Sequence, residues 1–147
     1  SFDESKFLYF GNSFSKEEDP NIRYIKMYGR KIYEFALSNV PKAMASCLEK
    51  SGIAITDVKK ILIHQANEKM DEAIINRFYK LYKMETPVGI MPMSIHKLGN
   101  SSVATVPTLY DLIVNGELEG QNLNKGDVII FASVGAGMNI NAIVYKM

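Results

Sequence analysis

Several features that mark particular protein classes are missing from this chain of 147 residues. It has one cysteine, so no internal disulfide can form, and a reducing compartment, the cytoplasm, is expected. No apolar run reaches the roughly eighteen residues of a transmembrane helix, and Ser1–Phe10 shows no signal-peptide pattern. The formal net charge is +1, so bulk electrostatics predict binding to neither nucleic acid nor membranes.

The motifs of several enzyme classes are absent as well. There is no Gly-x-Ser-x-Gly sequence and no phosphate loop, and the two histidines, His64 and His96, lie far apart without a cysteine cluster. Metal-ligand spacing is therefore missing, and we expect neither a metal nor a cofactor. Cys47 lies on the apolar stripe of a predicted helix with no neighbouring cation, so we expect it to be buried and unreactive.

The hydrophobic patterns that are present predict alternating helices and strands in one domain, residues 1–147. Lys6–Phe10 is typical of a short strand, and Ser13–Asn21 of an exposed loop. An apolar stripe from Gly29 to Lys50 predicts a helix that ends at Gly52. Pro41 interrupts that stripe, so we expect a kink or two abutting helices.

The second part of the chain repeats this alternation and then closes with two strands. We predict buried strands at Lys60–Ile63 and Asp127–Ala132, an irregular strand at Val88–Met93, helices over Met70–Leu81 and from Gly99–Ser102 onward, and a closing strand at Met138–Tyr145. The expected fold class is α/β, with helices layered on a mixed β-sheet that ends in an antiparallel hairpin.

Three features could carry chemistry, and each also has a purely structural interpretation. His64 follows a buried strand and is either a site histidine or a core or capping residue. Asn100 is either a helix N-cap or an amide donor to a developing oxyanion. Gly135–Gly137 is either a tight turn or a place where a substrate approaches backbone N–H groups. His96 is expected to be a solvated turn residue.

Taken together, these motifs resemble the carboxy-terminal half of the β-ketoacyl-acyl carrier protein synthase III family. His64–Asn67 reads HQAN, Gly99–Ser102 reads GNSS, and Gly135–Gly137 precedes a final strand, all in the family's order. Met27–Ala36 is similar to the family's preceding helix. The resemblance implies a thiolase-like fold of two similar halves, of which the amino-terminal half, with its nucleophilic cysteine, is missing here. The chain also lacks an initiator methionine.

The resemblance also implies roles for individual residues. His64 and Asn100 would stabilise the enolate formed when malonyl-acyl carrier protein loses CO2, with neutral His64 donating from Nε2. The Ala136 N–H, flanked by Gly135 and Gly137, would donate to the acyl-thioester oxyanion. Asn67 would orient backbone or ligand, and Lys69 would meet the acidic carrier protein.

The partners implied are the amino-terminal half, an acyl carrier protein, an acyl-CoA or malonyl thioester, and a second copy in a homodimer. The isolated chain is expected to be inactive. The Asn67–Gly99 interval is longer than the family's, and Ala136, Met138 and Asn139 depart from its glycine run and aromatic residue. These departures leave the acyl group open. They also leave two alternatives: a non-catalytic acyl-binding subunit of this fold, and an acyltransferase that does not decarboxylate.

Overall fold

A computed structural model describes residues 3–147, which form five strands and four helices. The strands are β1 Leu8–Gly11, β2 Tyr24–Met27, β3 Val58–Ile63, β4 Val128–Gly135 and β5 Asn139–Lys146. The helices are α1 Gly29–Ser51, α2 Glu68–Leu81, α3 Ile95–Leu98 and α4 Thr105–Val114. Single 3-10 turns lie at Glu4–Phe7, Ile55–Asp57, Ser102–Ala104 and Ala136–Met138.

The main sheet has the order β3-β4-β5 and is mixed, as the sequence predicted. β3 runs parallel to β4, with Ile61 beside Ile130, and β4 pairs with β5 in an antiparallel hairpin. The run of buried residues in β3 and β4 fits strands that are covered on both faces. β1 and β2 form a separate antiparallel pair.

Helices cover the main sheet from both sides. α1 and α2 enclose one core with the sheet, in which Val40, Met44 and Phe78 are fully buried. On the opposite face, Leu109 and Ile113 of α4 pack against Leu62 and Ile129 of the sheet. The result is a layered α/β arrangement. The carboxyl ends of β3 and β4 lie at the same edge of the sheet, where the chain continues from β3 to α2 and from β4 to β5.

α1 continues through Pro41 as one helix, so the expectation of two abutting helices is wrong. Proline has no N–H, and the carbonyl four residues earlier, that of Leu37, therefore loses its donor. Arg77 of α2 supplies a replacement, because its Nη1 donates to the Leu37 carbonyl at 3.3 Å. The helix ends at Gly52, whose φ of 69° gives the left-handed cap that the sequence predicted.

Other boundaries differ from the predictions for local reasons. Lys6 belongs to a 3-10 turn, and the strand there begins only at Leu8; β2, which pairs with it, was not predicted. Val88–Met93 is not a strand, although the Ile90 carbonyl accepts from the Ile61 N–H at 2.8 Å. Gly89, with a φ of 71°, and a buried Pro92 that cannot donate explain why pairing stops there.

Candidate active site

His64 is held by the strand that it follows. Its N–H donates to the Ala132 carbonyl at 3.0 Å, which continues the β3–β4 ladder by one residue. The ring is half-buried, and its Nδ1 lies 3.1 Å from the Ser102 carbonyl oxygen. Burial lowers the pKa of His64 below its usual 6.5, and the Ser102 carbonyl opposes that shift only in part. The ring is thus mainly neutral at pH 7.

The Ser102 contact fixes which nitrogen of the neutral ring carries the hydrogen. A carbonyl oxygen only accepts, so His64 Nδ1 must be the donor. Nε2 of the neutral ring is then a lone-pair acceptor. The expectation that neutral His64 donates from Nε2 is therefore wrong for this arrangement, and only the imidazolium form can donate there.

Asn100 is oriented by the backbone of the same residue, Ser102. Its Oδ1 accepts from the Ser102 N–H at 2.9 Å, which leaves the two amide hydrogens of Nδ2 available as donors. Asn100 was also predicted to open a helix, and that is wrong. α4 begins at Thr105, after a 3-10 turn, and Ala104 precedes it without a side-chain cap.

The turn between β4 and β5 forms the third part of the site. β4 ends at Gly135, and Ala136–Met138 is a 3-10 turn in which Gly137 has a φ of 74° and Met138 a φ of 55°. A Cβ on Gly137 would lie 3.1 Å from the Asn139 amide nitrogen, which itself donates to the Ala136 carbonyl. The turn therefore leaves little room for a larger residue at Gly137.

One cavity of about 610 Å³ brings these groups together. His64, Asn100, Gly135 and Ala136 all line it, whereas Gly137 does not. Its remaining walls are mainly apolar, with Met27, Ile32, Met70, Val103, Val106, Phe131 and Ile143 among them. An apolar cavity with a few converging polar groups is typical of a ligand site.

Besides Gly137, two predicted site residues lie outside the lining of this cavity. The Asn67 side chain caps α2, with its Oδ1 accepting from the Met70 N–H at 3.2 Å. Lys69 is exposed in the first turn of the same helix. His96 is exposed, as predicted, but it lies in the short helix α3 instead of a turn, and its Nε2 contacts Glu68 at 3.2 Å.

Cys47 is half-buried rather than buried, and its thiol donates to the Ala142 carbonyl at 3.4 Å, away from the cavity lining. Across residues 3–147, no three His, Cys, Asp or Glu side chains are grouped closely enough to hold a metal ion.

Two residues that shape the site were not singled out from the sequence. Ser102 bonds both His64 and Asn100 through its backbone, which no residue pattern could reveal. Gln65 is fully buried, and its amide donates to the Pro92 carbonyl at 2.9 Å and accepts from the N–H groups of Ser94 and Ile95. These hydrogen bonds of Gln65 connect the end of β3 to the segment that leads to Asn100.

The described residues have a thiolase-like α/β fold. The structure is similar to β-ketoacyl-[acyl-carrier-protein] synthase III of Thermus thermophilus, with a TM-score of 0.80 and 23% identity, covering 100% of this chain and 43% of the other. The enzyme of Aquifex aeolicus gives a TM-score of 0.74 at 25% identity, covering 100% and 42%.

Sequence comparison specifies the family. Residues 48–147 match the family described as 3-oxoacyl-[acyl-carrier-protein] synthase III C terminal, and the chain belongs to this family. The β-ketoacyl-[acyl-carrier-protein] synthase III of Oenococcus oeni is 31% identical over 147 residues, which cover 97% of this chain and 42% of the relative. That of Lactobacillus helveticus is 27% identical over 133 residues, covering 90% and 38%. The chain thus spans about two fifths of these relatives.

Proposed function

We propose that residues 1–147 are the carboxy-terminal catalytic half of a condensing enzyme. The enzyme would join an acyl thioester to malonyl-acyl carrier protein with loss of CO2, in cytoplasmic fatty-acid or related biosynthesis. One observation carries the proposal: His64 and Asn100 form hydrogen bonds with the backbone carbonyl and N–H of one residue, Ser102, and share one cavity with the Gly135–Ala136 turn. Family membership supplies the reaction class.

The nucleophile of the first step comes from the amino-terminal half of the full-length protein. The single thiol of this chain, Cys47, donates a hydrogen bond to a backbone carbonyl and lies outside the cavity lining. Because the cavity then has no thiol nucleophile from this chain, the isolated chain is inactive. A cysteine thiolate of the other half attacks the carbonyl carbon of an acyl-CoA or acyl-carrier thioester. A new C–S bond forms, the old one breaks, and the CoA or carrier sulfur leaves as a thiolate. We propose that the full-length protein is a homodimer.

The second step makes the carbon nucleophile. The bond between the malonyl C2 and its carboxylate breaks, CO2 leaves, and the electron pair spreads onto the thioester oxygen as an enolate. The Asn100 Nδ2 group donates to that oxygen, since its Oδ1 is already engaged by Ser102. His64 adds a second donor at Nε2 when it is protonated, and the negative charge of the bound malonyl group favours that form.

The third step forms the product. The enolate carbon attacks the acyl-cysteine carbonyl, a C–C bond forms, and the cysteine leaves as a thiolate. The transient oxyanion accepts from the N–H of Ala136, a residue of the cavity lining in the turn that the positive φ of Gly137 shapes. Asn67 supports the site by starting α2. Lys69, exposed in the first turn of α2, contributes a positive charge toward the acidic carrier protein.

The experiment separates malonyl decarboxylation from acyl loading in the full-length protein. His64→Ala and Asn100→Ala should each reduce decarboxylation by ~100- to 1000-fold, as expected for the loss of one oxyanion donor. The double variant should lose less than the product of the two losses, since both donors serve one charge. Acyl loading should change less, because it depends on the Ala136 N–H.

His96→Ala is the matched control, because His96 is an exposed histidine outside the cavity lining. It should leave both half-reactions unchanged. If His64→Ala and Asn100→Ala decarboxylate malonyl thioesters at the wild-type rate, the two side chains have only a structural role and the proposal is overturned.

One observation supports a second candidate, an acyltransferase that does not decarboxylate. Because the hydrogen of neutral His64 is on Nδ1, its Nε2 can take a proton from a hydroxyl or amine that attacks the acyl-cysteine. Such an enzyme would release no CO2 and would give an ester or amide product instead of a new C–C bond.

A further inference from the structure

The backbone N–H and carbonyl of Ser102 connect the two polar side chains of the site. Its N–H donates to Asn100 Oδ1 at 2.9 Å, and its carbonyl accepts from His64 Nδ1 at 3.1 Å. We propose that Ser102 is a positioning residue that sets the tautomer of His64 and the orientation of the Asn100 amide at the same time. This inference rests on the proposed function insofar as it assigns catalytic work to His64 and Asn100.

The backbone of Ser102 is in a conformation that serine rarely adopts. Its φ is 54°, in the left-handed region, whereas the preceding residue Ser101 has a φ of −87°. This change of hand directs the N–H of Ser102 back to Asn100 while its carbonyl faces His64. Uncommon conformations of this kind persist only when the surroundings hold them.

The neighbouring residues supply that restraint. The Ser101 hydroxyl lies 3.2 Å from the Thr105 hydroxyl, and Thr105 is buried at the start of α4. On the other side, His64 is fixed by the β3–β4 ladder. Ser102 is therefore anchored between the sheet and α4, although it is itself exposed.

Each of the two bonds has a specific consequence for the site. Without the Ser102 N–H, the Asn100 amide is free to rotate by half a turn and to present Oδ1, an acceptor, to the enolate oxygen. Without the Ser102 carbonyl, neutral His64 no longer needs its hydrogen on Nδ1 and can exchange between tautomers. The His64 imidazolium, which donates from Nε2, also loses the acceptor of its Nδ1–H, and that acceptor raises the His64 pKa. Losing this backbone geometry should thus impair both donors while leaving both side chains in place.

The test uses three variants of the full-length protein and two readouts. Ser102→Gly keeps both backbone bonds and accepts the left-handed conformation, so it should retain the wild-type kcat for decarboxylation. Ser102→Pro lacks the N–H and fixes φ near −65°, so kcat should fall ~100-fold with little change in KM. Ser102→Val keeps the N–H but disfavours a positive φ, and should lie between the two.

The second readout is the tautomer of His64, measured from the ring 15N chemical shifts of selectively labelled protein at pH 7.5. The resonance is assigned by its loss in His64→Gln. The wild type and Ser102→Gly should show a protonated Nδ1, and Ser102→Val should shift toward a mixture. His96→Ala, at an exposed position outside the cavity lining, is the control and should keep the wild-type His64 tautomer and kcat.

The two readouts separate failure of this inference from failure of the proposed function. A wild-type ring protonated on Nε2, or a Ser102→Val variant with unchanged tautomer and kcat, would overturn the positioning role. If the wild type does not decarboxylate malonyl thioesters, the proposed function fails, and the tautomer series still decides the role of Ser102. Ser102→Val and Ser102→Gly both carry the N–H, so the result does not depend on whether the proline variant folds.

Discussion

At the scale of the residue, the protonation of His64 distinguishes the two candidate reactions. Burial lowers its pKa, and the Ser102 carbonyl places the hydrogen of the neutral ring on Nδ1. Donation from Nε2 to an enolate therefore requires the imidazolium, whereas proton abstraction from a hydroxyl or amine requires the neutral ring. The two mechanisms thus predict opposite responses to pH.

For the proposed condensing enzyme, single-turnover decarboxylation by acyl-loaded protein should slow as pH rises through the His64 pKa. In the free protein that pKa lies below 6.5, and bound malonyl raises it. Asn100→Ala should be slower at every pH but keep the same inflection, and His64→Ala should lose it. A rate that instead increases through this pKa, together with a product formed without CO2 release, would favour the second candidate.

At the scale of the element, Arg77 explains how the long helix α1 tolerates an interior proline. Its guanidinium donates to the Leu37 carbonyl, the group that Pro41 leaves without a helical donor. An unpaired carbonyl at the buried Leu37 would be costly. The contact also connects α1 to α2, the helix that begins directly after the HQAN motif. It therefore stabilises the packing of these two helices against the sheet, next to the segment that carries His64.

Arg77→Met should therefore lower the free energy of unfolding by ~1 kcal/mol in the Pro41 background. In a Pro41→Ala background the effect should be smaller, because the backbone N–H of the alanine pairs with the Leu37 carbonyl. Urea unfolding of the four proteins gives the interaction energy as a double-mutant cycle. Lys80→Met, on the same helix and exposed, serves as the control. An equal loss in both backgrounds would mean that Arg77 does not compensate for the proline.

At the scale of the whole molecule, many apolar side chains around the cavity are exposed to solvent. Met27, Val103 and Ile143 line the cavity and are 65%, 91% and 58% exposed. The β1–β2 pair adds Phe10 and Ile25, which are also well exposed. α1, by contrast, buries most of its apolar stripe against the sheet. The open surface fits a face that the amino-terminal half would cover.

The chain of residues 1–147 alone should therefore self-associate through this face, since burying apolar area contributes ~25 cal/mol per Å². Light scattering over a dilution series should show a mass that rises with concentration. Replacing Val103 and Ile143 together by serine should reduce the association. Val88→Ser is the matched control, because Val88 is fully exposed but lies outside the cavity lining. A strictly monomeric wild-type chain would contradict the interpretation of this face as an interface.

None of the helices in the described part of the chain is long and apolar enough to cross a membrane.

The local sequence determined the elements whose periodicity is strong. The apolar stripe of α1, the buried runs of β3 and β4 and the left-handed Gly52 are all where the pattern predicted them, because burial and backbone sterics act on neighbouring residues. The motifs around His64, Asn100 and Ala136 likewise indicated which residues would meet. The family membership to which they pointed is confirmed by the match to residues 48–147.

Tertiary structure alone decided the features that depend on partners distant in the chain. β2 exists because β1 pairs with it, Pro41 is accommodated because Arg77 reaches across from α2, and Gln65 bonds to a segment almost thirty residues away. The hydrogen of His64 lies on Nδ1 because the Ser102 carbonyl approaches it from the start of another element. A sequence specifies which groups can donate or accept, but the direction of a hydrogen bond is fixed only when folding brings the two groups together.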